Sequence, residues 1–179
     1  MKKIIQSFNW IQRIMVFGAI LSLVIFYCYS TGLFKFGKAA VTVNEQTING
    51  GGTVIKLTET NSKAADEYTY DMSEDDVMSA IHEMSHQKVY ADKKWGAIPL
   101  TLERVNRLIL VVEKNKDKYH HYDLYLRILE RWSKNDFSSA VRDHNDIWTL
   151  LGGTVGKATG KMTPEDEKAY IQDNFKTGK

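Results

Sequence analysis

Ser73-Glu74-Asp75-Asp76-Val77-Met78-Ser79-Ala80-Ile81-His82-Glu83-Met84-Ser85-His86 is the stretch on which the fold class turns. Ser73 is suited to an N-cap, with Asp76 at the third helical position and Glu74 and Asp75 in the positive first turn. Val77, Ile81, Met84 and Lys88 then recur at helical spacing, and Met78 and Val89 widen the apolar face. Lys88 is expected to lie along that face on its aliphatic stem with its ammonium in water. The helix should end before Gly96, because Pro99 blocks continuation.

Downstream the helical pattern persists. Thr101 caps a second helix carrying Leu102, Val105, Leu108, Ile109 and Val112, which closes in the basic turn Lys114, Lys116, Lys118. A third helix carries Tyr122, Tyr125, Ile128, Leu129 and Trp132. Asn135 or Asp136 caps a fourth along Phe137, Ala140, Val141, His144, Ile147, Trp148 and Leu151, stopped by Gly152-Gly153. Thr163-Pro164 opens a fifth with proline at the first helical position. The expected class is therefore all-α: a compact bundle of about five helices over residues 73–179.

Upstream, residues 35–72 read as a flexible tether rich in Gly, Thr, Asn and Ser. Val41-Thr42-Val43 and Thr53 to Leu57 alternate weakly around Asn49-Gly50, the pattern of a hairpin. Two strands without a third are marginal, so a mobile spacer is the preferred reading. Ile14 to Phe34 holds twenty-one uncharged residues between Arg13 and Lys35. As a helix that run would span roughly 30 Å, which predicts a transmembrane signal-anchor in contact with the lipid bilayer. It is too long for a cleavable signal. Lys2, Lys3 and Arg13 ahead of it, against Lys35 and Lys38 behind, favour a cytoplasmic tail over residues 1–13 and an extracytoplasmic domain at the cell membrane.

Composition sets further bounds. Of 179 residues, 24 are Lys or Arg and 22 Asp or Glu, giving a net charge of +2. The two signs are interspersed, unlike the one-sided basic face of a nucleic-acid binder, so no nucleic-acid partner is expected. The single cysteine, Cys28, lies inside the apolar run and leaves the rest of the chain without disulfide or thiol chemistry.

His82-Glu83-Met84-Ser85-His86 matches HExxH. On a helix its histidines stand one turn apart on one side, so both imidazoles can ligate one zinc, with Glu83 as base. The extended form would need glycine at Val89 and histidine at Asp92, and has neither. A distant third ligand could come from Glu130, His120, His121 or His144, and no spacing selects among them. Two histidines hydrogen-bonded at the rim of the apolar face are the bland alternative. Gly152 to Lys161 falls short of a P-loop, because three residues rather than four separate Gly152 from Gly156 and Ala158 follows Lys157. His144, on an apolar face between Val141 and Trp148, reads by default as a buried, hydrogen-bonded histidine.

Several segments together resemble an uncharacterised family of single-anchor membrane proteins from Gram-positive bacteria. They are Met84 to Val89, Lys94-Trp95-Gly96-Ala97, Ile128 to Trp132, Asp136-Phe137-Ser138, Asp143-His144-Asn145, Ile147-Trp148 and Gly152 to Ala158. The resemblance covers about residues 73–175. The family carries a domain-of-unknown-function label, so the resemblance implies no activity, cofactor or catalytic residue.

The function expected is a protein-binding or regulatory module of the cell envelope, with another envelope protein as its partner. Its candidate surface is His82, His86, Gln87, Lys88, Trp95, Asp143, His144 and Asn145. The alternative is a zinc-dependent hydrolase using His82 and His86 as ligands and Glu83 as the catalytic group. A structural subunit of a membrane assembly is the second alternative. The reading leans away from an enzyme and expects no cofactor, zinc being the alternative.

Overall fold

Two strands that are marginal by themselves find their third at the opposite end of the chain. The computed structural model describes Trp10, residues 14–17, Ile20, Ser22, residues 38–47 and residues 52–178. Strand β1 (Ala40–Thr47) pairs antiparallel with β2 (Thr53–Glu59), Val43 opposite Leu57 and Glu45 opposite Ile55. The C-terminal β5 (Lys176–Thr177) then adds to β1 in parallel, Ala40 against Lys176. The expected Asn49-Gly50 turn lies outside the described residues.

Between β2 and β5 run a short helix α1 (Ala64–Glu67), then α2 (Glu74–Ser85), β3 (Val89–Tyr90), α3 (Leu102–Lys114), α4 (Tyr122–Ser133), α5 (Ala140–Leu150), β4 (Gly160–Lys161) and α6 (Pro164–Asn174). β3 and β4 form a second, two-stranded sheet. The class is thus mixed α/β, which corrects the all-α expectation. The five longer helices expected from the periodicity are all present, although α2 ends and α5 begins short of the bounds it suggests. The miss is in the strands: β3, β4 and β5 are two residues long and exist only through partners at least 70 positions away, which no local pattern reveals.

The tether is corrected for the same reason. Val41, Ile55 and Leu57 are buried against Ile171 and Phe175 of α6 and the residue after it, forming a core of their own. Full burial of each such side chain contributes about 1.5–3 kcal/mol, enough to hold a hairpin that would not stand alone.

The main core gathers Val77, Ile81 and Met84 of α2, Val105, Leu108 and Val112 of α3, Ile128, Leu129 and Trp132 of α4, and Ala140 and Ile147 of α5. Ser73, Thr101 and Thr163 cap α2, α3 and α6 through their side chains, as their sequence positions predict. Neither Asn135 nor Asp136 caps the fourth long helix. Asn135 takes a positive φ of 58°, Asp136 accepts from the Ser138 amide at 3.0 Å, and α5 begins at Ala140.

Residues Met1–Lys38 form a separate unit from Ala39–Lys179. In it Trp10, residues 14–17, Ile20 and Ser22 are helical and exposed. Most of the 14–34 run lies outside the described residues. Among the described residues no helix is long and apolar enough to cross a membrane, so the transmembrane part of the expected class is withdrawn.

Candidate metal centre

α2 ends at Ser85, three residues earlier than its apolar stripe suggests, and the chain turns through His86, Gln87 and Lys88 into β3. This turn drives polar side chains inward. His86, Gln87 and Lys88 are 0–2% exposed, as are Asp143 and His144 of α5. Five of the eight residues read as a candidate surface therefore lie in the interior. His82 and Asn145 are half-buried, and Trp95 stands in solvent with 69% of its surface exposed.

Lys88 is the clearest departure. Its ammonium, placed in water by the sequence reading, is instead buried, paired with Glu167 of α6, hydrogen-bonded to the Ile55 carbonyl at 3.1 Å, and 4.1 Å from the Phe137 ring centroid. Gln87 donates to the same Glu167 carboxylate at 3.2 Å and accepts from the Leu100 amide at 3.0 Å. Asp143 holds Arg131 and accepts from the Trp132 indole at 3.2 Å. These groups tie helices and the hairpin together.

The histidines behave differently. His82 and His86 project from the last turn of α2, and His144 meets them from α5. Ring centroids lie 4.7 Å apart for His82 and His86, 4.5 Å for His82 and His144, and 5.5 Å for His86 and His144. One nitrogen from each falls within 4.8 Å of the others, a spacing that one metal ion can span. Of the four distant groups the sequence left open, the fold selects His144. His120 is exposed and pairs with Glu74, and His121 and Glu130 are exposed too.

Backbone carbonyls fix the tautomers. A neutral imidazole has one N–H, and a carbonyl can only accept. His86 Nδ1 lies 3.0 Å from the Gly96 carbonyl, so it carries the proton and leaves Nε2 with its lone pair. His144 Nε2 lies 3.0 Å from the Gly156 carbonyl, so Nδ1 is left to accept from the Ser85 hydroxyl at 2.8 Å. Carbonyl partners of this kind orient metal-binding imidazoles and raise their basicity.

Both carbonyls belong to glycines with positive φ, 80° at Gly96 and 91° at Gly156. A Cβ on Gly96 would collide with the Glu83 carboxyl group, and one on Gly156 would meet the Lys93 carbonyl at 2.6 Å. The loop bearing Gly156 is clamped from α5. Asn145 donates to the Ala158 carbonyl at 3.0 Å and accepts from its amide at 2.8 Å. Asp92, the position where an extended zinc motif would want histidine, accepts from the Gly156 amide at 3.1 Å instead.

Of the four buried side-chain atoms that lack a hydrogen-bond partner among the described residues, two belong to this cluster, His82 Nε2 and His86 Nε2; the others are Arg131 Nε and the Tyr170 hydroxyl. Each such orphan costs about 1–3 kcal/mol when nothing fills it. Protonation is not the remedy. Burial, with the neighbouring imidazoles adding to it at His82, lowers the His82 pKa to about 3. Burial lowers that of His86 to about 4 against the opposing Gly96 bond, and burial lowers that of His144 as well. Three neutral imidazoles, with lone pairs on His86 Nε2 and His144 Nδ1 and an unpartnered Nε2 on His82, can serve as a donor set for a borderline transition ion such as zinc. Glu83 is half-buried against Gly96, and burial raises its pKa.

Fold and site together define a small mixed α/β domain with an interior three-histidine cluster. Residues 81–172 match a family of unknown function, DUF6241, and the chain belongs to it. The matched segment runs from the last turn of α2 through most of α6 and so contains all three histidines. No curated protein and no solved structure matches the chain.

Sequence reasoning found His82, Glu83 and His86 from one short motif. It left His144 as one of four possible third ligands and did not name Gly96 or Gly156 as parts of that site. A usable signal was present in the two glycine-bearing segments, Lys94 to Ala97 and Gly152 to Ala158, which are the loops that hold the imidazoles.

Proposed function

We propose that this domain binds one zinc ion through His82, His86 and His144 and uses it for hydrolysis. The observation that carries the proposal is the convergence of three neutral imidazoles with two orphaned, buried Nε2 atoms. The donor set fits. His82 and His86 offer Nε2, and His144 offers Nδ1 once the Ser85 hydroxyl lets go. That hydroxyl has the His82 carbonyl 2.5 Å away as its other acceptor, so metal binding leaves no new orphan.

Among the described residues the cluster offers three protein ligands and no fourth, the pattern of catalytic rather than structural zinc. Zinc would supply Lewis acidity there. Glu83 would take a proton from the attacking water as its oxygen joins the acyl carbon, then pass that proton to the leaving amine or alcohol as the old bond breaks. Half-burial suits this role, since the raised pKa of Glu83 brings it closer to the working range of a general base.

Glu83→Gln tests the hydrolytic step. Zinc-loaded full chain is incubated with a peptide pool from digested casein and with nitrophenyl acetate, products being followed by mass spectrometry and absorbance. Turnover lost in Glu83→Gln, with one zinc retained, is the expected result. Equal turnover in both proteins, or none above buffer in the parent, contradicts the hydrolase.

A second reading, a contact module for another envelope protein, is favoured by Trp95, whose exposed indole is the kind of side chain that anchors interfaces. Trp95→Ala separates the two, because it should abolish capture of such a partner while leaving zinc content unchanged.

A further inference from the structure

The metal reading leaves two unusual groups beside the centre unexplained. Tyr170 of α6 has its hydroxyl buried with no hydrogen-bond partner. The Lys94 ammonium sits 4.6 Å from the centre of that tyrosine ring. Lys94 is half-buried, and among the described residues no carboxylate pairs with it. Its charge reaches the cluster, disfavouring protonation of both His86 and His144. Burial, with the Glu83 charge adding to it, raises the pKa of the Tyr170 hydroxyl and keeps it a donor.

A half-buried ammonium with no carboxylate beside it and a buried hydroxyl with no partner are both costly unless something negative completes them. Glu83, whose charge acts on Tyr170, makes no hydrogen bond to its hydroxyl. Donors fixed in place before a charge develops are what an oxyanion requires.

We propose that Lys94 and Tyr170 form an oxyanion-binding pair beside the three-histidine centre, so that its ligands are carboxylates and the acyl groups that become carboxylates on hydrolysis. The inference rests on the metal reading and adds two roles to it. The Lys94 ammonium supplies the attraction that draws an anion in, and the Tyr170 hydroxyl donates to an oxygen of the acyl group as negative charge grows on it. Both are catalytic residues in the strict sense, since each would touch the reacting group.

The test uses the full chain loaded with cobalt(II), whose visible absorbance reports what enters its coordination sphere. Acetate, with inorganic phosphate as a second oxyanion, is titrated into the parent protein and into Tyr170→Phe, Lys94→Met and Lys94→Arg. The parent should show saturable spectral change with acetate. Tyr170→Phe and Lys94→Met should each weaken acetate binding about 10- to 100-fold, the loss of one hydrogen bond to a charged group. Lys94→Arg should stay within about threefold of the parent, because the charge survives.

Tyr170→Phe removes only an unpaired hydroxyl, so its melting temperature should not fall, and cobalt stoichiometry should stay at one throughout. Unchanged acetate affinity in both Tyr170→Phe and Lys94→Met overturns the pair, as does a parent protein whose spectrum ignores acetate. Phosphate binding without acetate binding overturns the carboxylate assignment. A parent that takes up no cobalt overturns the metal reading itself, which separates the two failures.

Discussion

Two buried polar clusters lie a few residues apart on the same turn of chain, and they are built on opposite terms. In the first, Lys88, Gln87 and Glu167 complete one another: the ammonium meets Glu167, the Ile55 carbonyl and the Phe137 ring, while Gln87 donates to Glu167 and accepts from the Leu100 amide. In the second, His82 and His86 each keep one buried nitrogen with nothing to bind. A satisfied cluster holds a fold together. One with unsatisfied nitrogens has room for a ligand, and the difference is why structure is assigned to Lys88 and a metal-binding role proposed for the histidines.

The largest expected effect comes from breaking the satisfied cluster. Lys88→Met strips Glu167 of its partner in the interior and should cost about 3–5 kcal/mol in urea unfolding. Lys88→Met combined with Glu167→Leu should recover most of that loss, since removing both charges leaves no uncompensated one. If the double variant is no better than the single, the pair is not acting as a unit.

Second in size is the orienting shell of the proposed metal centre. Gly96→Ala places a methyl group against the Glu83 carboxyl at a φ of 80°, displacing the carbonyl that aims His86. Zinc affinity should fall about 10- to 100-fold by competition with a chromophoric chelator. An unchanged affinity would show that the Gly96 carbonyl does not set the His86 tautomer.

Third is the acid response of the metal-free chain. His82 and His86 have folded pKa values near 3 and 4, below the ordinary 6.5. Between those limits the unfolded chain binds more protons than the folded one, so stability rises with pH across this window. The contribution is complete above pH 6.5 and is lost as pH falls toward 4 and then 3. A melting temperature that drops less steeply over that range in His82→Ala than in the parent checks the sign. The smallest effect is expected at His120, exposed and paired only with Glu74. His120→Ala should change stability by under about 1 kcal/mol and leave metal uptake untouched.

How much of this was legible depends on how far apart the partners are in sequence. HExxH is five residues of one helix, so periodicity alone aligns its imidazoles. The caps at Ser73, Thr101 and Thr163 are equally local, and all three read correctly. His144 comes fifty-eight positions after His86, and only the packing of α5 on α2 brings them together. Lys88 looked like a solvated stem because its position on an apolar stripe says nothing of Glu167. The hairpin looked like a spacer because β5 and α6, which cover and extend it, are read from the far end of the chain.

Metal stoichiometry tests the central claim most directly. The full chain, stripped with chelator and carrying no metal-binding tag, is titrated with zinc and analysed by elemental mass spectrometry. One zinc per chain is the expected result, lost in His82→Ala, His86→Ala and His144→Ala alike but kept in His120→Ala. A chain that retains no zinc, or one whose zinc survives His144→Ala, would contradict the three-histidine centre.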